Sequence, residues 1–348
     1  MPRLPRPAPA VHAGKLICRG THGAGGANRR RALALLAALA LCPAIASAQD
    51  PPALARQIRI IVASLPGTGP DYIARMISPA LGEALRANVV VENRAGSNAI
   101  VGTVYVARGP ADGSVVLMGN AGSHAVNAAL YKKLPYDPLL DFAPVSELAS
   151  VGLALIVHPS VPAKTLRELI ALAKREPGKL NVAVAGATGE LMGNALKLQA
   201  KIDMKNIPYK GGPQGVIAVM SGEADMVFTT PFIVVEQVKA GKLKFLGVTG
   251  AQRHPLLPGV PTIAEGGLPG YDHEQWYALF APAKTPAPVV QAFHAESTRI
   301  VNIPENHKKL VETGHRVVAG TPQQLTDKIK REIEKTRQIM LDSGMPQQ

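Results

Sequence analysis

From residue 57 onward, short apolar runs alternate with stretches in which apolar residues recur every three or four positions. In the first such pair, Ile58, Ile60, Ile61 and Val62 form a mostly β-branched run that predicts a buried strand. A turn with Gly67 and Gly69 follows, where glycine lets the backbone turn sharply and approach a ligand. Pro70 suits a first helical position, and Asp71 complements the positive end of the helix dipole. Ile73, Met76, Ile77, Ala80 and Leu81 then repeat at helical spacing, with Pro79 expected to kink or end the helix. Asn88 to Glu92 and Ser114 to Met118 predict two more strands, separated by the turn Gly96-Ser97-Asn98 and a helix over Ile100 to Ala107. The third strand ends in a polar loop, Gly119 to His124, before a short helix over Ala125 to Tyr131.

Val145 to Val157 is long and apolar, with Gly152 inside it, and suits a segment running from one lobe into another. Thr165-Leu166-Arg167-Glu168 is a capping box ahead of an apolar face made by Leu166, Leu169, Ile170 and Ala173. Leu180 to Ala185 predicts a strand, Gly186 to Gly189 a second glycine-bearing turn, and Glu190 to Ala200 a helix. Tyr209-Lys210-Gly211 precedes another helix, and Asp225 to Phe228 is a strand ending at Thr229-Thr230-Pro231. Leu243 to Thr249 and Tyr277 to Pro282 are extended runs, so the chain returns to the first lobe near Leu246 or near Leu279. Thr321, Pro322 and Gln324 open a final helix with Leu325, Ile329 and Ile333 on one face.

The alternation predicts α/β lobes with largely parallel sheets. The expected division is 49–150 for a first lobe, completed by part of about 246–290, then 151–245 for a second, and 291–348 for C-terminal helices packing on both.

The first 48 residues read as an N-terminal extension and signal peptide. Arg29, Arg30 and Arg31 precede an unbroken apolar run, Ala32 to Leu41, and Ala46-Ser47-Ala48 is a small-residue cleavage site. Lipid attachment at Cys42 is disfavoured by Leu41 before it. The leader holds seven of the basic residues and no acid, so the formal charge of +13 falls to +6 once it is removed. That suits small acidic ligands and argues against nucleic acid. Both cysteines, Cys18 and Cys42, lie in the leader, which excludes disulfide and thiol chemistry from a mature chain beginning at Gln49.

Several chemistries can be weighed. Strand, Gly67-x-Gly69, helix, strand and Glu92 resemble a dinucleotide fingerprint, but the third glycine position holds Tyr72. No G-x-S-x-G elbow occurs, and the seven histidines after the leader are dispersed without metal-ligand spacing, so no catalytic group, cofactor or metal is expected. His124 stands apart because it follows a strand end, where open α/β sheets bind ligands. Free N–H groups at the first turn form an anion site, read here as holding one carboxylate of a small acid. Gly186 to Gly189 is either an ordinary turn or a second anion turn facing the first.

Pro66 to Asp71, Val91 to Gly96, Leu130 to Pro138, Asp141 to Val145, Pro208 to Gly211 and Val260 to Glu265 resemble, in order, the Bug family of extracytoplasmic receptors for tripartite tricarboxylate transporters. The resemblance implies a two-lobed Venus-flytrap fold, a type II-like periplasmic binding protein, without catalytic activity. It implies a periplasmic receptor that captures a di- or tricarboxylate or related acid and delivers it to membrane permease subunits. Partnership with a sensor kinase is the alternative. The expected ligand-binding residues are Gly67, Thr68, Gly69, Asp71, Asn120, Ser123, His124, Gly186, Thr188 and Thr229. The chain departs from the family at Thr68-Gly69-Pro70, at Gly96 to Ala99 and at Thr229-Thr230, where many members carry Asp-Asn. Without that acid, a ligand lacking a buried ammonium is expected.

Overall fold

β1 (Gln57–Val62) is the centre from which the first lobe is built, with Ile58, Ile60, Ile61 and Val62 fully buried. The computed structural model describes residues 55–342 and 347, so the expected leader, its cleavage after Ala48 and both cysteines lie outside the described residues. α1 (Gly69–Leu85) does not end at Pro79 but continues past it. The Arg75 carbonyl, which the proline nitrogen cannot serve, accepts instead from Ser78 Oγ at 3.3 Å. β2 (Asn88–Asn93) and β3 (Val115–Asn120) flank β1 in parallel, with α2 (Ile100–Ala107) between them in sequence. A π-helical turn, Gly122–Val126, then leads into α3 (Asn127–Leu130), where the pattern predicts one short helix.

β4 (Phe142–Gly152) belongs to the first sheet and β5 (Ala154–Val157) to the second, so the chain passes between lobes at Leu153. α4 (Leu166–Arg175) begins at the Thr165 cap, whose hydroxyl accepts the Glu168 N–H at 3.2 Å. β6 (Asn181–Ala185), α5 (Gly186–Ala200), β7 (Lys205–Tyr209), α6 (Gly212–Met220) and β8 (Met226–Thr229) complete the parallel part of the second lobe. α5 starts at Gly186, so the predicted glycine turn is the first turn of the helix itself. A 3-10 turn, Pro231–Ile233, and α7 (Val235–Lys239) lead to β9 (Lys244–Val248), which pairs antiparallel with β5.

The return lies between the two predicted positions, because Leu246 is in β9 of the second sheet and Leu279 is in β10 (Glu274–Pro282) of the first. α8 (Ala287–Val301), α9 (Pro304–Glu312), β11 (Arg316–Val317) and α10 (Pro322–Asp342) finish the chain. Strand orders are β11-β4-β10-β3-β1-β2 and β7-β6-β8-β5-β9. Both sheets are therefore mixed rather than largely parallel. β10 runs antiparallel to β3 and β4, and β5 runs antiparallel to β8 and β9. The strands around the crossings enter each sheet from the other lobe and so oppose the βαβ direction. α10 packs on the π-helical turn and β4 of the first lobe and on α5 of the second. There Met340 joins Val126, Leu130 and Leu191 in one buried cluster.

Candidate functional site

Between the lobes lies a cleft of about 690 Å³. That is ample for a small ligand. Four helices present their amino ends to it, two from each lobe: Thr68, Gly69 and Pro70 of α1, the Ala99 cap of α2, Gly186 to Gly189 of α5, and Gly211, Gly212 and Pro213 of α6. The first-turn N–H groups of a helix have no intrahelical acceptor, and the dipole adds partial positive charge. Among the described residues, no Asp or Glu lines the cleft, and Lys210 is the only charged residue that does. The electrostatics are those of an anion trap made mainly from backbone.

Of the predicted residues, Thr68, Gly69, Asn120, Gly186, Thr188 and Thr229 line the cleft. Gly67, Asp71, Ser123 and His124 do not. Gly67 has φ +78° and its N–H donates to Asp71 Oδ2 at 2.9 Å, so this amide holds the turn together. Asp71 also accepts from Arg75 Nε at 3.0 Å and Asn93 Nδ2 at 2.9 Å. Burial works against its ionisation, but the hydrogen bonds from Arg75, Gly67 and Asn93 outweigh it and hold the carboxyl below the usual range. Its role is to brace the turn from behind.

Ser123 Oγ accepts the Asn120 N–H at 3.0 Å, and Asn120 Oδ1 accepts the Ser123 N–H at 3.0 Å. This reciprocal pair fixes Asn120 at the cleft. His124 belongs to the core: its ring stacks on Phe280 at 3.7 Å between centroids, and burial pushes its pKa down to about 3. Gly119 beneath leaves room for it, since a Cβ there would lie 2.9 Å from the imidazole.

Three contributors are not among the expected ligand-binding residues. The β7–α6 loop, Tyr209 to Pro213, lines the cleft, and its Gly212-Pro213 repeats the Gly69-Pro70 helix start, a signal that could have been used. The turn Gly96 to Ala99 carries four successive positive φ values, 142°, 45°, 53° and 72°, a backbone that L-residues adopt at a cost. Asn98 anchors it by donating to Tyr131 Oη at 2.9 Å and accepting from Asn127 Nδ2 at 2.8 Å. On β10, Gln275 and Tyr277 face the cleft while Trp276, on the opposite face, is buried in the core.

The lobes meet closely around this cavity. Thr188 Oγ1 donates to Gln275 Oε1 at 3.3 Å. Tyr277 is fully buried, and burial raises its pKa. A Cβ on Gly211 would lie 3.3 Å from Leu65 Cδ1, across from the first lobe. Glu92, which a dinucleotide ribose would need, is instead paired with Arg94 at 2.6 Å and Arg59 at 3.6 Å.

The family model described as a tripartite tricarboxylate transporter family receptor matches residues 73–345. Among curated proteins, the chain is 31% identical over 297 residues to BugT of Bordetella pertussis, covering 83% of this chain and 90% of that one. Among solved structures it is similar to R. palustris Rpa4515 with adipate, with 31% identity, a TM-score of 0.79, and coverage of 83% and 97%. MatC (Rpa3494) from Rhodopseudomonas palustris with bound malate gives 28% identity, a TM-score of 0.77, and coverage of 82% and 98%.

Proposed function

The chain belongs to the tripartite tricarboxylate transporter receptor family, and on that premise we propose that it captures a small organic acid between its two lobes for delivery to a membrane permease. The observation that carries the reading is the convergence of four helix amino ends on a cleft without an acidic side chain. A carboxylate there is held by main-chain donors of α1 and α5, from opposite lobes, so the ligand itself draws the lobes together. The adipate and malate held by two similar proteins support an acid of that size. An α-ammonium group would find no carboxylate partner among the lining residues and would sit in a field of its own sign. The solute is therefore an acid without an amino group. The family and the basic-apolar-small pattern ahead of Gln49 support residence in the periplasm.

A thermal-shift and calorimetry screen of the purified protein tests this. Succinate, malate and adipate should include at least one ligand that stabilises the fold, by about 2.7 kcal/mol at a hundredfold excess over Kd. Aspartate and NAD should have no effect. A response to amino acids alone, or to no acid, would overturn the proposal.

A further inference from the structure

We infer that Gln275 is the residue that reads the bound acid from the first lobe and couples that reading to closure. The inference rests on the receptor reading above and adds a reading side chain to a site made mainly of backbone.

β10 is the strand by which the chain comes back into the first sheet, where it lies between β3 and β4. Side chains alternate along it, so Gln275 and Tyr277 share the cleft face. Gln275 is hydrogen-bonded to Thr188 of the opposite lobe. The two side chains differ in what they leave over. Tyr277 is fully buried, with its hydroxyl against Gly69. Gln275 is only half-buried and lines the cavity.

An amide has two unlike ends. Thr188 donates to Oε1, which fixes the orientation and leaves both Nε2 hydrogens to face away from Thr188. Those hydrogens are donors, the type a carboxylate or hydroxyl oxygen of the ligand needs. Thr188 lies in the first turn of α5, one of the amino ends that hold the acid. The contact with Oε1 exists only while the lobes are together. Ligand oxygens accepting from Nε2 polarise the amide and strengthen its acceptance from Thr188. Binding and closure thus reinforce each other through one side chain.

The test uses the full protein with whichever of succinate, malate and adipate binds it tightest. Gln275→Leu keeps the bulk and removes the amide; Gln275→Glu keeps the shape and replaces the donors with a negative charge. Calorimetry should give the order wild type, Leu, Glu, with affinity about tenfold lower for Leu and at least a hundredfold lower for Glu. Raising the salt from 0.05 to 0.5 M should recover part of the Glu loss and little of the Leu loss. Thr188→Val, which frees the amide, should raise the ligand off-rate in stopped-flow measurements. Melting curves of the ligand-free variants serve as the fold control. Equal losses for Leu and Glu, or wild-type affinity in either, would overturn the inference while leaving the receptor reading intact. Failure of the wild type to bind any of the three acids would overturn both.

Discussion

Gly69→Ala is the substitution in which two physical expectations oppose each other most clearly. At the first position of α1, alanine should be preferred over glycine by up to about 1 kcal/mol on helix propensity alone. The backbone angle does not forbid it, since Gly69 is not among the residues with positive φ. Space forbids it instead: the added Cβ would lie 2.2 Å from Tyr277 Oη and 2.5 Å from Cζ. Tyr277 is fully buried, and its ring lies 5.7 Å from that of His315. It has nowhere to go without straining the core by about 1–3 kcal/mol. Set against the helix preference, the net expectation is a loss of about 1–2 kcal/mol in the ligand-free protein, a fall in melting temperature of about 2–8 °C. Urea titration and calorimetry of Gly69→Ala, Tyr277→Ala and the double variant close the cycle. In the Tyr277→Ala background the Gly69→Ala cost should vanish. If Gly69→Ala is as stable as wild type, or if its cost persists undiminished without Tyr277, the steric argument is wrong.

Asp71→Asn should cost about 1–3 kcal/mol in urea titrations, because the buried carboxylate is what Gly67, Arg75 and Asn93 all donate to. Since its folded pKa is depressed, its contribution is present at neutral pH and lost as pH falls below about 4, so the variant's acid limb should be flatter. Burial also depresses the histidines, His124 and His273 to about 3 and His254 and His315 to about 4. The unfolded chain then binds more protons below pH 6.5, so stability falls with pH from there to about 4, by up to about 1.4 kcal/mol per histidine per pH unit. Melting temperature should drop steadily from pH 7 to pH 5, and His124→Gln should reduce that slope; an unchanged slope would exclude His124 as a contributor. Ala99→Gly, at φ +72°, should stabilise the fold by a few tenths to about 1 kcal/mol, read from the urea midpoint.

Much of this architecture is written locally. The Thr165 cap, the β-branched run of β1 and the Gly-Pro start of α1 each follow from neighbours a few residues away, and each is found where the pattern puts it. The two first-turn glycines show where locality ends. Gly67 is a matter of its own dihedral, whereas Gly69 is a matter of Tyr277, more than two hundred positions along the chain. His124 follows a strand end and so has the sequence context of a binding loop. Only the ring of Phe280, arriving on β10, makes it a core residue. Gln275 and Tyr277 carry no motif, because their place in the cleft is set by which strand lies beside β3 and by which face is turned outward. Sheet direction is hidden from the local pattern for the same reason: the crossing strands oppose their neighbours only through topology.

The cluster of Met340 with Val126, Leu130 and Leu191 gives the tail of the chain a part in the motion. Jaws that swing apart must either carry the last helix along or expose apolar surface beneath it. Sequence remote from the bound acid would thereby set the stiffness of the jaws, and changes there would tune residence time while leaving recognition as it was.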